Sequence, residues 1–445
     1  MTRKYFGTDG IRGKTGEHPI TPEFFVKLGY AAGIVLTKSL NNDKKPSVVI
    51  GKDTRISGYM LESALESGFS SAGVDVFLTG PIPTPAIAFL TKSLGAQIGV
   101  VISASHNSFE DNGIKFFSDL GLKLSDSVEL EIEALLDKEI NSIPTNKLGK
   151  ASRINDAIDR YVSFCKNTVD PSFNLKDLKI VLDCAHGATY QVAPIVFSEL
   201  GANVLTTNNK PDGLNINHDA GSVHPEFLQE SVLSNSADLG IAFDGDGDRV
   251  IMVDSNGNLI NGDQLLFLIV QDYFNNKKLK GGVVGTLMTN LAFEEECQKM
   301  NIPFIRTDVG DRYVSKMLYE KNWMLGGENS GHILITDKHS TGDGIISALQ
   351  VLNAIINIKK PIEEALKSIL MYPQILINLP ITGKVDLKSS VMDKAIIDAK
   401  LMMENKGRIL IRESGTQPLI RVMTEGPNKD KAIKAAEFLI KKIKS

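Results

Sequence analysis

The sequence predicts an α/β protein: three related mixed α/β domains, followed by a smaller C-terminal α+β domain, arranged around a central cleft. Two observations support this fold class. Short β-rich runs alternate with amphipathic stretches along most of the 445 residues, which is typical of strand–helix–strand units. The order strand, helix, strand, connection, strand also occurs three times in succession. The length itself is enough for about two to four domains.

Each of the three units is defined by short apolar runs that we predict to be buried strands. They are centred near Val48, Val76 and Val100, near Ile180, Val204 and Ile241, and near Val283, Phe304 and Met324. Helical patterns such as 60–72 and 190–200 follow the first strands, so right-handed crossovers and mostly parallel sheets are expected. The predicted domains are 1–153, 154–255, 256–370 and 371–445. One large doubly wound sheet is the alternative.

The last segment differs from the three units before it. Apolar segments follow Pro373, and the runs 407–412 and 419–423 read as two strands joined by a turn. Residues 428–444 place alanine, leucine and isoleucine at helical spacing beside many lysines, which predicts a basic amphipathic helix. We expect its apolar face to pack on a small core.

Composition excludes several classes of protein. The chain has 49 Lys+Arg against 53 Asp+Glu, a net charge of −4, so we expect no nucleic-acid partner. Its three cysteines, Cys165, Cys184 and Cys297, have neither metal-site nor disulfide-framework spacing, and they suit a reducing cytoplasm. No signal peptide and no membrane span are predicted.

The third strand of each unit ends in a polar loop. These loops are 103–108, 244–249 and 326–332. Ligands of open α/β sheets bind beyond the carboxyl ends of the strands. Three such loops therefore predict one shared cleft between the domains.

The second loop predicts a metal site. Asp244, Asp246 and Asp248 alternate with glycines, and without a cation these carboxylates would repel one another. Oxygen ligands favour Mg²⁺ or Ca²⁺. An EF-hand loop that starts at Asp244 is excluded. The sixth position of such a loop requires glycine, but this chain has Arg249, and the twelfth requires glutamate, but this chain has Ser255. A solvated acidic turn is the remaining alternative.

The first loop offers a nucleophile. Ser105 follows an apolar strand directly, and by itself it could be a nucleophile or a turn residue. It lacks the Gly-x-Ser-x-Gly context of a hydrolase elbow. Lys115 follows in the chain and could steer a phosphate or transfer a proton.

The third loop suits a polyhydroxylated ligand. Glu328, Asn329, Ser330 and His332 offer hydrogen-bonding groups between glycines that would let a ring approach closely. A structural histidine is the alternative for His332. The turns 6–13 and 51–55 are glycine-bracketed and charged, but by themselves they are weak signals.

The C-terminal turn predicts an anion site. Arg412, Ser414, Gly415, Thr416 and Arg421 would place two guanidinium groups, two hydroxyls and backbone N–H groups around a glycine turn. This segment lacks the spacing of a nucleotide P-loop. An exposed polar hairpin is the alternative.

Together these segments resemble the α-D-phosphohexomutase family. The resemblance covers nearly the whole chain and keeps the order of the motifs. It rests on 6–13, 51–60, 81–86, 103–117, 244–249, 326–332 and 407–426. The start Phe-Gly-Thr-Asp-Gly-Ile-Arg-Gly and the motif Glu-Asn-Ser-Gly-His are similar to those of the bacterial members that act on amino-sugar phosphates.

The resemblance implies an isomerase that interconverts glucosamine 6-phosphate and glucosamine 1-phosphate, in the route to UDP-N-acetylglucosamine. It also implies a phosphoserine enzyme, a 1,6-bisphosphate intermediate and one Mg²⁺ per chain. Glucosamine 1,6-bisphosphate or glucose 1,6-bisphosphate would be the activator. Glucose or mannose phosphate as substrate, or a non-catalytic sugar-phosphate-binding protein, are the alternatives. The implied partner is a small sugar phosphate, with a possible homodimer.

Residue roles are carried over by position. The implied roles are phosphoryl carrier for Ser105; Mg²⁺ ligands for Asp244, Asp246, Asp248 and phosphorylated Ser105; groups near the reacting phosphate and proton for Arg12, Lys115 and His332; and substrate binding for Arg249, Glu328, Asn329, Ser330, Arg412, Ser414, Gly415, Thr416 and Arg421.

Three positions depart from the family pattern. Ser108 replaces a usual proline, Gln417 a usual glutamate and His186 a usual asparagine. Because proline fixes φ, its loss at 108 is expected to loosen the serine loop. None of the three removes a group assigned to the chemistry.

Overall fold

The computed structural model of the chain describes residues 3–38, 45–380, 386–387, 389–413 and 419–444. Within these ranges the strands form four separate sheets, of six, five, four and three strands in sequence order. The alternative of one large doubly wound sheet is therefore wrong. The predicted architecture of three mixed α/β domains and a C-terminal α+β domain is confirmed.

The first domain is built on the six-stranded sheet. Its strands are β1 (Ile11–Lys14), β2 (Ser47–Lys52), β3 (Asp75–Pro81), β4 (Ile98–Ile102), β5 (Asp111–Ser118) and β6 (Ala151–Arg153), in the order β1-β5-β4-β2-β3-β6. Its helices are α1 (Pro22–Thr37), α2 (Ser57–Ser71), α3 (Thr84–Leu94) and α4 (Asp126–Leu136). The Thr21 side chain caps α1 by accepting from the Phe24 N–H, and Pro22 suits the first turn.

The second domain repeats the pattern with five strands. These are β7 (Lys179–Asp183), β8 (Asn203–Thr207), β9 (Leu239–Phe243), β10 (Val250–Asp254) and β11 (Leu259–Ile260), in the order β11-β10-β9-β7-β8. Its helices are α5 (Ala157–Lys166), α6 (Val192–Glu199) and α7 (Glu226–Ser234). The predicted domain boundaries stay a prediction. The boundary expected after residue 255 falls between β10 and β11, which pair with each other.

The third domain has four strands and five helices. The strands are β12 (Val283–Thr286), β13 (Phe304–Thr307), β14 (Leu325–Gly327) and β15 (Ile333–Ile335), in the order β13-β12-β14-β15. The helices are α8 (Gly262–Asn275), α9 (Leu291–Lys299), α10 (Asp311–Lys321), α11 (Gly344–Ile358) and α12 (Ile362–Ala365). Asn261 and Gln264 form a capping box at the start of α8.

Each polar loop connects two antiparallel strands of an α/β sheet. The loops connect β4 to β5, β9 to β10 and β14 to β15, and each of these pairs is antiparallel. Parallel pairs outnumber antiparallel ones in the first and third sheets, as expected, and the two kinds are equal in the second, so every α/β sheet is mixed. The physical reason is that a short loop can join antiparallel neighbours, whereas parallel strands need a long crossover.

The fourth domain is an antiparallel sheet covered by two helices. Its elements are β16 (Gln374–Pro380), α13 (Ser390–Met402), β17 (Arg408–Glu413), β18 (Leu419–Glu425) and α14 (Lys429–Lys444), with the sheet order β16-β18-β17. The predicted C-terminal helix is confirmed. Its buried residues, Ala432, Ala435, Ala436, Leu439 and Ile443, lie on the predicted apolar face.

The hydrophobic cores divide the molecule unequally. One large cluster joins the first three domains and contains, for example, Val49, Leu182 and Leu352. The fourth domain has a separate cluster around Ile420 and Leu439. The first three domains thus share one cluster, although the first domain has a second cluster of its own around Phe25 and Val100, whereas the fourth domain does not take part in the shared one.

Among the described residues, no single helix is both long and apolar enough to cross a membrane. In the part of the chain that the structure describes, one helix pair, formed by α11 and the segment Ile362–Ser368 and bent by 78°, reaches the required length and composition. Most of α11 is buried against α8, β10 and β15 as a core helix.

Candidate active site

Ser105 meets the aspartate loop across the junction of the first two domains. It follows β4, is fully buried and has φ of 53°, a left-handed conformation that is uncommon for a non-glycine residue. Its Oγ donates a hydrogen bond to Asp244 Oδ2 over 2.6 Å. The structure therefore brings together two motifs that lie far apart in sequence.

The three aspartates form a compact carboxylate cluster. Asp244, Asp246 and Asp248 each offer one oxygen, and these oxygens all lie within 4.8 Å of one another. Gly247, at φ of 75°, provides the turn between them. Burial, together with repulsion from Asp248 and Asp246, raises the pKa of Asp244 well above its usual value.

The cluster fits a hard divalent cation. Asp246 Oδ1 is buried and has no hydrogen-bond partner among the described residues. Unpartnered buried carboxylate oxygens are costly unless a cation binds them. An all-oxygen donor set suits Mg²⁺ or Ca²⁺.

Lys115 supplies a positive charge beside these carboxylates. Its Nζ donates to Asp246 Oδ2 over 2.8 Å and to Asp248 Oδ2 over 3.0 Å, and lies 3.2 Å from Asp9 Oδ2. Burial alone would lower the pKa of Lys115, but the three carboxylates raise it well above its usual value. Lys115 is therefore a charged partner of the aspartates within the site.

A cleft of about 440 Å³ opens next to this cluster. Five predicted site residues line it: Arg12, Asp248, Arg249, Glu328 and His332. The remaining lining residues are Tyr5, Gly7, Thr8, Asp9, Gly10, Val309, Gly310 and Asp311. The first, second and third domains all contribute to this wall, as the shared-cleft prediction expects.

His332 lies between two carboxylates. Its Nδ1 is 3.5 Å from Asp248 Oδ1, and its Nε2 is 3.5 Å from Asp311 Oδ2. Burial lowers the pKa of His332, but these carboxylates raise it to about 9. Nearby, Glu328 Oε1 accepts from the Gly310 N–H over 2.8 Å, which orients the Glu328 side chain.

Arg249 packs against the aspartates from the cleft side. Its backbone N–H donates to Asp244 Oδ1 over 3.1 Å, and its Nε lies 3.9 Å from Asp248 Oδ1. Burial lowers the pKa of Arg249, but Asp244, Asp248 and Glu328 raise it above its usual value. The guanidinium therefore stays charged beside the cleft.

Two predicted sugar contacts are not among the residues that line the cleft. The Asn329 carbonyl accepts from the Gly262 N–H over 3.0 Å, so its backbone ties the third polar loop to the start of α8. Ser330 Oγ is buried without a hydrogen-bond partner among the described residues. A buried hydroxyl without a partner is available to a ligand that reaches the loop.

The predicted distal anion site is described only in part. Arg412 and Arg421 are cross-strand neighbours on β17 and β18. Both line a cavity of about 120 Å³, and Val309 lines this cavity as well as the main cleft. Arg421 Nε is buried and lacks a hydrogen-bond partner in the described part of the chain. Ser414, Gly415, Thr416 and Gln417 lie outside the described residues.

Three further charged residues belong to the site, and sequence reasoning missed them. Lys123 Nζ donates to Asp9 Oδ1 over 2.6 Å and pairs with Asp311, which ties the first domain to the third. Asp9 also pairs with Arg12. The weak motif 6–13 contains Asp9, but no motif marks Lys123 or Asp311.

Comparison with family models covers almost the entire chain. Four models named phosphoglucomutase/phosphomannomutase match in order: alpha/beta/alpha domain I at 3–142, domain II at 159–257, domain III at 261–372, and the C-terminal domain at 376–442. Together they match well over half of the chain.

Individual relatives agree with the family models. A phosphoglucosamine mutase of Nitrosospira multiformis is 56% identical, over 100% of this chain and 97% of its own length. A phosphoglucomutase/phosphomannomutase family protein of Burkholderia thailandensis has a similar fold, with a TM-score of 0.81 at 23% identity, covering 98% of this chain and 96% of its own. For N-acetylphosphoglucosamine mutase of Aspergillus fumigatus, solved with GlcNAc-6P and magnesium, the TM-score is 0.67 at 17% identity, with 99% and 96% covered. The chain belongs to the phosphoglucomutase/phosphomannomutase family, within its phosphoglucosamine mutase branch.

Proposed function

We propose that this enzyme interconverts glucosamine 6-phosphate and glucosamine 1-phosphate. The family membership and the full-length similarity to phosphoglucosamine mutases support this activity. The observation on which the mechanism depends is the 2.6 Å contact between Ser105 Oγ and Asp244 Oδ2. It joins Ser105 to the carboxylate cluster, one member of which, Asp248, lines the cleft.

Ser105 carries the phosphoryl group in this proposal. In the first transfer the bond between phosphorus and Ser105 Oγ breaks, and a bond between phosphorus and the sugar O1 forms. The O1 hydroxyl loses a proton, Ser105 Oγ gains one, and the product is a 1,6-bisphosphate. After the bisphosphate has reoriented, Ser105 Oγ loses its proton and accepts the phosphoryl group from O6, O6 gains a proton, and glucosamine 1-phosphate remains.

Mg²⁺ is the cation we propose for the carboxylate cluster. Asp244, Asp246 and Asp248 would hold it, together with an oxygen of phosphorylated Ser105. When bound, it offsets negative charge on the phosphoryl group. Lys115 and Arg12 add fixed positive charge on the protein side.

His332 is better placed than Lys115 to exchange the hydroxyl proton. Both side chains are buried, but the His332 ring lines the cleft, whereas Lys115 donates to Asp246 and Asp248. Arg249, Glu328, Asn329 and Ser330 are proposed to bind the sugar in two orientations. A second anion site is needed because one phosphate stays bound while the other reacts.

The two distal arginines are proposed to hold the non-reacting phosphate. Arg412 and Arg421 lie side by side with no ion pair in the described part of the chain, and two guanidinium groups suit a phosphate dianion. Ser414, Gly415 and Thr416 would complete this site. Glucosamine 1,6-bisphosphate or glucose 1,6-bisphosphate is the proposed activator, and a homodimer in the cytoplasm is the proposed form and location.

Ser105→Ala tests the proposal. The variant should keep its fold but lose turnover of glucosamine 6-phosphate with Mg²⁺ and bisphosphate present, because the phosphoryl acceptor is gone. Intact-mass measurement should find a phosphorylated fraction in the wild type and none in the variant. Near-normal activity of Ser105→Ala would reject the mechanism.

A substrate panel tests the choice of sugar separately. Glucosamine, glucose and mannose 6-phosphates are assayed under identical conditions, and glucosamine 6-phosphate should give the highest kcat/KM. A higher value for glucose or mannose phosphate would keep the mechanism and change the substrate. No turnover of any of them by phosphorylated enzyme would favour a non-catalytic sugar-phosphate-binding protein.

A further inference from the structure

A buried arginine contacts the serine loop, the polar loop 103–108 that carries Ser105. Arg55, in the turn after β2, is fully buried, and so is Asp53, with which it pairs. A buried guanidinium with one carboxylate still has several donors to satisfy. The loop that carries Ser105 satisfies them.

Arg55 donates to three backbone carbonyls of that loop. Its Nη2 contacts the carbonyl of Ser105 at 3.3 Å and that of Asn107 at 2.5 Å, and its Nε contacts the carbonyl of Ser108 at 3.4 Å. The planar guanidinium fork can span several acceptors at once, which a lysine ammonium cannot. The contact at Ser108 holds the position where the usual proline is missing.

Asp53 fixes the same loop through a second path. Its Oδ2 accepts from Ser103 Oγ over 2.5 Å, and Ser103 Oγ accepts from the Ser105 N–H over 2.8 Å. The backbone donor and the backbone acceptor of Ser105 are therefore both tied to the Asp53–Arg55 pair.

The second domain holds the loop from the other side. Asn217 Nδ2 donates to the carbonyls of Ser105 and Asn107, both at 2.9 Å. Asn217 is itself buried. Two amino acids from two domains thus converge on the same carbonyl oxygens.

We propose that Arg55 and Asn217 are positioning residues that hold Ser105 in its left-handed conformation and aim its hydroxyl at the aspartates. A non-glycine residue at φ of 53° keeps that conformation only where its surroundings impose it. A displacement of about 1 Å at a reacting atom can cost about 100-fold in rate. The inference rests on the proposed function, because it assigns these residues to phosphoryl transfer by Ser105.

Two conservative variants test the inference. Arg55→Lys keeps the charge but cannot span the three carbonyls. Asn217→Asp keeps the size and the left-handed backbone preference but replaces the donor with an acceptor facing two carbonyls. In single-turnover transfer from labelled phosphoenzyme to glucosamine 6-phosphate, both should be slower by about 100-fold, with sugar-phosphate affinity changed less than about threefold.

Glu62→Gln is the matched control. It breaks the Lys52–Glu62 ion pair, which is nearly as buried as Arg55 and lies in the same domain but does not touch the serine loop. It should lower the melting temperature as Arg55→Lys does and leave the transfer rate within about threefold of the wild type. A structural role alone would make the three variants equal in rate.

The outcomes separate the possibilities. The inference is overturned if folded Arg55→Lys and Asn217→Asp transfer within about threefold of the wild-type rate, or if Glu62→Gln is slowed equally. If Arg55→Lys does not fold, Asn217→Asp decides, since it leaves the buried Asp53–Arg55 pair intact. Failure of the wild-type phosphoenzyme to transfer to any sugar phosphate would reject the proposed function instead.

Discussion

The two ends of the proposed site are built differently. Ser105 and the aspartates are buried and belong to domains that share one hydrophobic cluster. Arg412 and Arg421 are only partly buried and belong to a domain with a core of its own. The comparison shows that the groups proposed to react lie between domains with a shared cluster, whereas the arginines proposed to hold the phosphate depend on how the fourth domain packs on the third.

A small polar contact attaches the fourth domain to the third. Glu425 is fully buried and accepts from Arg408, from the Leu291 N–H at 3.0 Å and from Gln374 Nε2 at 2.8 Å. Arg408 Nη1 also donates to the Leu287 carbonyl over 2.6 Å. A change in this contact would move the distal arginines without touching the serine.

The largest effect is expected from a substitution at the buried end of the site, where Ser105 and the aspartates lie. Asp246→Asn removes one of three carboxylates from the cluster, so turnover should fall by about 10³-fold or more even at saturating Mg²⁺. Steady-state kinetics across a Mg²⁺ titration measures it, and circular dichroism checks the fold. Activity within tenfold of the wild type would show that the cluster does not serve the reaction.

A smaller effect is expected at the distal end. Arg421→Ala should raise KM for glucosamine 6-phosphate by about 10- to 100-fold, as for loss of a charge-assisted contact worth about 1.5–3 kcal/mol. Steady-state kinetics measures the shift. Lys431→Ala, which removes an exposed pair with Glu404 in the same domain, should leave KM unchanged, and equal shifts in both variants would contradict the assignment.

A substitution in the contact between the third and fourth domains should have a milder effect, on kcat and KM together. Arg408→Gln leaves the buried Glu425 without its positively charged partner. The fourth domain should therefore be held less rigidly against the third. As a result, kcat and KM should change together by about threefold to tenfold. Kinetics and calorimetry measure this, with a lower melting transition for the fourth domain. An unchanged KM with a lowered kcat would place the effect at the serine instead.

The smallest effect concerns pH. Burial raises the pKa of Asp263 to about 7 from its usual 3.8. Between these values the folded protein holds a proton that the unfolded chain has lost, so stability falls as pH rises from about 4 to about 7, by at most about 4 kcal/mol. Asp263→Asn removes this dependence.

The melting temperature measures the Asp263 effect. Asp263→Asn should melt a few degrees (about 3 °C) above the wild type at pH 8, and the gap should vanish near pH 4. Asp263 Oδ2 accepts from the Asn290 N–H over 2.8 Å, a bond that the asparagine oxygen can keep. A gap independent of pH would contradict the raised pKa.

Local patterns in the sequence predict most of the fold. The runs around Val48, Ile180 and Val283 all lie in strands of parallel pairs, because buried parallel strands read as continuous apolar runs. The antiparallel strand β5, Asp111–Ser118, was missed. It follows a polar loop and mixes lysine and asparagine with phenylalanine, so its burial comes from neighbours distant in sequence.

The site is predicted where a motif is contiguous and missed where partners are distant. The aspartate loop is visible because its carboxylates lie within five residues of one another. Lys123 and Asp311 pair from two domains, and neither has a local pattern. Arg55 lies in the weak motif 51–55, whose meaning depends on the carbonyls it contacts.

The shared interior of the first three domains has a consequence for synthesis of the chain. The cluster that contains Val49 also contains Ile369, so a growing polypeptide cannot complete it until the third domain has emerged from the ribosome. At about 5–20 residues per second, the earlier domains wait roughly tens of seconds with part of their apolar surface uncovered. The last domain has a cluster of its own and adds nothing to the shared one.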